Sequence, residues 1–287
     1  MKKYIKLIRP YQWIKNLFCF CGVVFGFHFN EPEYLTTSLI AFVGFCLAAS
    51  SVYTMNDIID VKLDRQHPKK KNRPIANGSV TLLNAKLLAI TLGISAVLIT
   101  SLVNNYVAIA VLMYLLLNIY YSKQGKHIVL LDVFIITFGF LLRVISGTVA
   151  IGIPISEWLI LCVVMLTLFL GFGKRKAELI ACKLDNSDPK LKRLVLEHYE
   201  TRMLDIFIAS TSIGAILSYS LFLVVGSNRN PNLIYTMLFV TYGIFRYIYR
   251  LYAKEGGQDT ANDLLDDKHL VVSILLWLVS YLLITLY

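Results

Sequence analysis

Charge is what this sequence has least of. Asp, Glu, Lys and Arg together make up 16% of 287 residues, whereas a soluble domain carries about 25%. Hydrophobic residues reach 57% and the mean hydropathy is +0.64, which excludes both a soluble globular domain and a disordered chain. The five cysteines (19, 21, 46, 162 and 182) form no CxxC pair, so neither a zinc site nor a disulfide framework is implied. The five histidines (28, 67, 127, 198 and 269) lack ligand spacing, which leaves no His-based centre. No long polar linker divides the chain, and no small-residue cleavage site follows the basic start MKKYIKLIRPYQWIKN. The expectation is an all-α, polytopic membrane protein with a single integral-membrane domain over residues 1–287.

Nine apolar segments are present, at about 14–29, 35–55, 84–103, 105–122, 128–151, 156–173, 204–226, 232–252 and 269–287. Most approach the length of about 20 residues that a helix needs to cross the hydrocarbon. Lys and Arg alternate between loops. Residues 1–15 hold five, 56–82 six, 122–127 two, 174–203 eight and 246–268 four. The intervening loops hold none except for Arg229. The positive-inside rule then places the N-terminus and every charged loop on the cytoplasmic side, and the expected location is a bacterial-type inner (plasma) membrane. The excess of ten basic residues reports this topology and anionic headgroups, not nucleic acid.

Residues 50–78, SSVYTMNDIIDVKLDRQHPKKKNRPIANG, leave an uncharged run at Asn56 and Asp57. Asp60 and Asp64 follow, and then a basic tail with Lys69, Lys70, Lys71 and Arg73. On a continuing helix Asn56, Asp60 and Asp64 share one face, with Asp57 beside them. Crowded carboxylates repel one another unless a cation joins them. A hard divalent ion such as Mg²⁺ takes oxygen ligands and is commonly shared with substrate phosphates. The pattern therefore points to a Mg²⁺–diphosphate site at a membrane surface; the competing reading is a solvated acidic helix end.

Asp132 and Arg143 lie inside the fifth apolar segment, where an ionisable side chain is costly and usually faces a bundle interior. Eleven residues of helix separate them by about 16 Å, too far for a direct ion pair. Gly139 and Ser146 extend the same face. Lys123 and Lys126 precede this span, and GKRKAEL (Lys174, Arg175, Lys176, Glu178) follows the sixth. Residues 190–204 read as a cytoplasmic helix. Asp185 and Asp188 read as a solvated turn, and EGGQDTANDLLDDKH as an acidic loop.

The motif NDIIDVKLDRQHPKKKNRPIANG resembles the first aspartate motif of the UbiA superfamily of intramembrane transferases, and the likeness extends over essentially the whole chain. It implies a nine-helix UbiA-like bundle with a cytoplasm-facing polar cavity. It also implies that Asn56, Asp57, Asp60 and Asp64 hold Mg²⁺ and a diphosphate, with Arg73 as a phosphate contact. Most members transfer prenyl groups to aromatic acceptors and carry a second motif, DxxxD, where this chain has GKRKAEL. RPYQWIKN, KHIVLLDV…LLRVISG and GKRKAEL are instead similar to the decaprenyl-phosphate phosphoribosyltransferase branch. That resemblance implies transfer of 5-phosphoribose from phosphoribosyl diphosphate to a polyprenyl phosphate, in a pathway such as arabinan precursor synthesis. It makes Asp57, Asp60, Lys126 and Arg143 catalytic candidates, and Asp132, Lys174, Arg175 and Glu178 pocket candidates. A quinone-precursor prenyltransferase is the alternative enzyme, and a transporter using Asp132 and Arg143 the alternative outside enzymes. Association into a homo-oligomer is allowed by the sequence but not specified.

Overall fold

The computed structural model describes residues 2–26, 28, 30–66, 70–184, 194–225, 230–253 and 266–286, and all regular structure among them is helical. His67, Lys69, the Asp185–Asp188 pair, Arg229 and most of the acidic loop lie outside the described residues. Among the described residues, seven helices are long and apolar enough to cross a membrane: Pro32–Ile59 (α3), Leu82–Ser101 (α5), Asn105–Lys123 (α6), Leu131–Ala150 (α7), Glu157–Leu184 (α8), Thr201–Val225 (α9) and Lys268–Leu286 (α11). In hydrocarbon only a helix satisfies its own backbone polar groups, so these runs have no other stable form. The protein is a multi-pass membrane protein.

The two other expected spans take different shapes. Residues 10–25 form a 3₁₀ helix, Pro10–Phe20, running into a single α-helical turn, Cys21–Phe25 (α2). Residues 231–252 divide into a 3₁₀ turn, Pro231–Thr236, and Met237–Tyr252 (α10), whose 16 residues fall short of a full crossing. Of the cytoplasmic helix expected over 190–204, residues 190–193 lie outside the described residues, Leu194–His198 form a 3₁₀ turn, and 201–204 are the first turn of α9.

The chain forms two compact units. The first comprises residues 1–126 and 139–155, the second 127–138 and 156–287. In the first unit α3 packs along α5 and against the 3₁₀ segment and α6. Small residues let these backbones approach: a Cβ on Gly44 would sit 2.2 Å from Thr100 Cγ2, and the Ser51 hydroxyl donates to Ala89 O at 2.7 Å. At Gly147 a Cβ would fall 1.9 Å from Cys19 O, so only glycine fits under the 3₁₀ segment. Phe45, Val111, Tyr114 and Leu142 fill the core beside this contact. Capping by Thr81 and Asn104, each accepting from a backbone N–H three residues on, starts α5 and α6.

The first helix, Lys2–Ile8 (α1), packs on α3, and Leu7 joins Ile75, Val80 and Ala85 in a small core of its own. In the second unit α8 packs along α9, and α10 along α11. Val133, Phe169, Phe172, Leu204, Ile208, Tyr247 and Leu251 form that core. Tyr219 ties α9 to the 231–236 turn and α11 through Thr236 and the Trp277 indole N–H, at 2.7 and 2.8 Å.

Candidate functional site

Helix α3 ends at Ile59, and Asp60 caps it with φ −87° and ψ 5° before a short helix, Val61–Gln66 (α4). The break is slight, because Asp60 N–H still donates to Asn56 O and Asp64 N–H to Asp60 O, both at 2.9 Å. The carboxylates nonetheless divide differently from the expected single face. Asp57 and Asp64, two turns apart, converge on Arg73, whose Nη1 donates to Asp57 Oδ1 at 3.0 Å and Asp64 Oδ2 at 2.7 Å. Asp60 is held by Lys126 at 2.6 Å. The intervening loop is built to deliver Arg73. Asn77 N–H donates to Arg73 O at 3.0 Å and Ser79 N–H to Asn77 Oδ1 at 3.0 Å, with Gly78 at φ 77° as only glycine adopts freely. Lys6 and Lys3 of α1 donate to Asn72 O and Ser79 O, both at 3.0 Å, and brace the loop from outside.

One member of this site escaped the sequence reading. Arg9 Nη2 donates to Asp57 Oδ1 at 2.5 Å, and its guanidinium lies 5.3 Å from the Tyr53 ring centroid. The signal was present in RPYQWIKN, as a cation preceding a proline outside any span. Asn56 is half-buried beside the pair.

Among the described residues, no three acidic, His or Cys side chains are gathered as a ready-made metal cluster. The donor set still fits a hard divalent ion. Two carboxylate oxygens from Asp57 and Asp64 already meet at one nitrogen, and a third carboxylate and an amide lie on the adjoining turns. Both meeting carboxylates are almost wholly buried, and cations occupy the position where a metal would neutralise them.

Arg143 is buried in the first unit and held by neutral groups. It donates to Asn16 Oδ1 at 2.7 Å, Gly139 O at 2.7 Å and Tyr114 Oη at 3.0 Å, with the Tyr114, Phe140 and Phe45 rings around it. Neutral partners and aromatic faces spread the cost of burying its charge.

The second unit holds another charged cluster. Asp132 and Arg175 are fully buried and paired, Arg175 Nε to Asp132 Oδ2 at 2.6 Å, while Arg175 Nη1 reaches Glu178 Oε2 at 2.7 Å. Tyr199, also unanticipated, donates to Asp132 Oδ1 at 2.8 Å and accepts from Leu130 N–H at 2.9 Å. Burial and the Asp132 carboxylate push the Tyr199 phenol above its ordinary pKa, so it stays a donor. Leu130 takes a left-handed backbone, φ 67°, at the start of α7. Lys176 pairs with Asp205 and sits 3.1 Å from the Tyr252 ring centroid; Lys174 is half-buried at the head of this group. The expectation that Asp132 and Arg143 are separate charges agrees with these partners.

The model of the UbiA prenyltransferase family matches residues 16–265. The chain is 36% identical over 221 residues to a decaprenyl-phosphate phosphoribosyltransferase of Mycolicibacterium smegmatis, covering 76% of this chain and 69% of the relative. To the Corynebacterium glutamicum protein of the same name it is 31% identical over 282 residues, 95% and 83% of the two chains. Among solved structures, a UbiA homolog from Archaeoglobus fulgidus bound to DMAPP and Mg²⁺ superimposes with TM-score 0.77 over 99% of both chains at 15% identity, which shows the shared fold. The aspartate motif, the helical fold and these likenesses agree, and the chain belongs to the UbiA prenyltransferase family.

Proposed function

We propose that the protein transfers 5-phosphoribose from phosphoribosyl diphosphate to the phosphate of a polyprenyl lipid, releasing diphosphate. What carries this reading is the 31–36% identity to decaprenyl-phosphate phosphoribosyltransferases over most of the chain. The segment where prenyl-transferring relatives would place a second aspartate motif supports it, since here it supplies Lys174, Arg175 and Lys176. Phosphoribosyl diphosphate and a lipid phosphate bring more anionic groups than an aromatic acceptor, and need more cations.

Asn56, Asp57, Asp60 and Asp64 would hold Mg²⁺. When bound, the ion neutralises the charge that develops on the departing diphosphate. Arg73 and Lys126 bind diphosphate oxygens, so Asp57 and Asp60 act by placing both the ion and those cations. Arg143 contributes a fixed positive field from the first unit. In the second, the half-buried Lys174 binds substrate phosphate, while Arg175, expected as a phosphate contact but fully buried and fixed by Asp132 and Glu178, contributes positive field instead. The attacking oxygen of a lipid phosphate is already anionic near neutral pH, so no general base is needed. A single displacement inverts C1 of the ribose, and an α-linked donor gives a β-linked lipid.

The chain works as one integral-membrane domain. Its 3₁₀ segment with α2, and its 231–252 segment, serve as the first and eighth of nine spans. The loop charges support a cytoplasmic active site in a bacterial-type plasma membrane. Purified protein with Mg²⁺, labelled phosphoribosyl diphosphate and a polyprenyl phosphate should yield labelled lipid. Absence of that product, with turnover of a prenyl diphosphate and an aromatic acid instead, would overturn the assignment.

A further inference from the structure

Arg9 has φ 53° and ψ 63°, one of two non-glycine residues with positive φ among those described. Such a position at the end of a helix is ordinarily given to glycine or asparagine. The next residue, Pro10, should in addition press Arg9 toward extended backbone. The strained conformation is nevertheless held from both sides. Arg9 N–H donates to Ile5 O at 3.2 Å, and Gln12 N–H to Arg9 O at 3.0 Å. Ser50 Oγ binds Ile8 O and accepts from the Trp13 indole, both at 3.0 Å, fastening the flanking residues to α3. What this arrangement secures is the guanidinium on Asp57, a place that glycine could not fill.

Charge and accessibility then say what the guanidinium does. Asp57, Asp60 and Asp64 are matched by Arg9, Arg73 and Lys126, so the set is electrically balanced without any metal. A divalent ion adds two charges to that balance and is opposed by three cations; a diphosphate, with about three negative charges near neutral pH, more than offsets the ion and gives the displaced cations an anionic partner. The carboxylates of Asp57 and Asp64 are 2% and 3% exposed, whereas Arg9 and Arg73 are 18% and 24% exposed. An arriving ligand therefore meets the arginines before the carboxylates.

We propose that Arg9 is an exchanging cation of the site: it occupies Asp57 until a divalent ion takes that carboxylate, and then binds the diphosphate that comes with the ion. Metal alone is held weakly because it must displace Arg9. Metal with diphosphate is held tightly because the displaced guanidinium gains an anionic partner. This inference rests on the aspartates being the ligands of a divalent ion, but not on what the diphosphate is attached to.

Mn²⁺ binding to the purified full chain, read from the electron paramagnetic resonance signal of the free ion, tests it with inorganic diphosphate as the second ligand. The substitutions are Arg9→Asn, which removes the charge but tolerates the left-handed backbone, and Arg9→Lys, which keeps the charge. Arg9→Asn should bind Mn²⁺ alone about tenfold more tightly than wild type and bind diphosphate in the presence of Mn²⁺ about tenfold more weakly. Arg9→Lys should stay near wild type on both counts. Weaker binding of both ligands by Arg9→Asn would make Arg9 a merely structural residue. Unchanged Mn²⁺ affinity, or unchanged diphosphate affinity, would equally overturn the exchange. Failure of the wild-type chain to bind Mn²⁺ even with diphosphate would remove the metal site itself, and the inference with it. Neither ligand contains ribose or lipid, so a failed phosphoribosyl assay leaves these results standing.

Discussion

Asp57 and Asp64 stand on opposite sides of the helix break at Asp60 and accept hydrogen bonds from the same nitrogen of Arg73, at 3.0 and 2.7 Å. Two buried carboxylates are thus held together by one cation that arrives on a separate loop.

Removing that cation should cost stability that a metal can restore. Arg73→Gln leaves the Asp64 carboxylate buried without its ion pair, at a cost of about 3 kcal/mol. The melting temperature should fall, and Mg²⁺ should raise it more in the variant than in wild type. Melting curves with and without Mg²⁺ check this; an equal shift in both proteins would count against metal binding between Asp57 and Asp64.

Asp60 behaves differently, because it is partly exposed and paired with a side chain rather than locked in the core. Asp60→Ala should abolish transfer while lowering stability by no more than about 1 kcal/mol. Lys126→Ala should do likewise. Transfer assays beside melting curves separate the two effects, and an active Asp60→Ala protein would dismiss the assigned role.

Tyr199→Phe deletes a hydroxyl that serves Leu130 N–H and Asp132 at once. Leaving two buried polar groups short of a partner should destabilise the protein by about 1–3 kcal/mol. Denaturant or thermal midpoints measure the loss. A phenylalanine variant as stable as wild type would mean that another group takes over both bonds.

Asp267 links α10 to α11. It accepts from Arg246 and from Leu270 N–H, and the Arg246 hydrogen bonds hold its pKa down at about 2. A carboxyl with a depressed folded pKa contributes stability above its unfolded value of about 4 and loses it as pH falls toward 2. Asp267→Asn should therefore be less stable than wild type at pH 6, with the difference shrinking below pH 4 and vanishing near pH 2. Thermal midpoints across that range check the sign.

Spans and motif were legible in the sequence for a simple reason. Hydrocarbon favours one solution for a long apolar run, and the spacing of Asn56, Asp57, Asp60 and Asp64 marks them as one local group, although it did not show that Asp57 pairs with Asp64 while Asp60 turns to Lys126. The helix boundaries fall within a few residues of most apolar segments; the exceptions are where Pro10 and Pro231 open 3₁₀ turns and at α8, which runs on through the charged GKRKAEL stretch to Leu184, eleven residues past the apolar segment. Partners that meet across long separations were not legible. Arg9 reaches Asp57 over 48 residues and Tyr199 reaches Asp132 over 67, and no local pattern encodes either meeting. The same limit applies to Arg143, visible as a buried cation although Asn16, 127 residues away, was not visible as its acceptor.

The Asp132–Arg175 pair also has a consequence for how the chain is made. Asp132 enters the nascent chain 43 residues before the arginine that neutralises it, and 67 before the tyrosine that completes its bonding. A carboxylate at the head of a span resists transfer into lipid until a partner is present. The head of α7, the fourth of the long helices, is therefore expected to settle in the bilayer only after the ribosome has added Arg175.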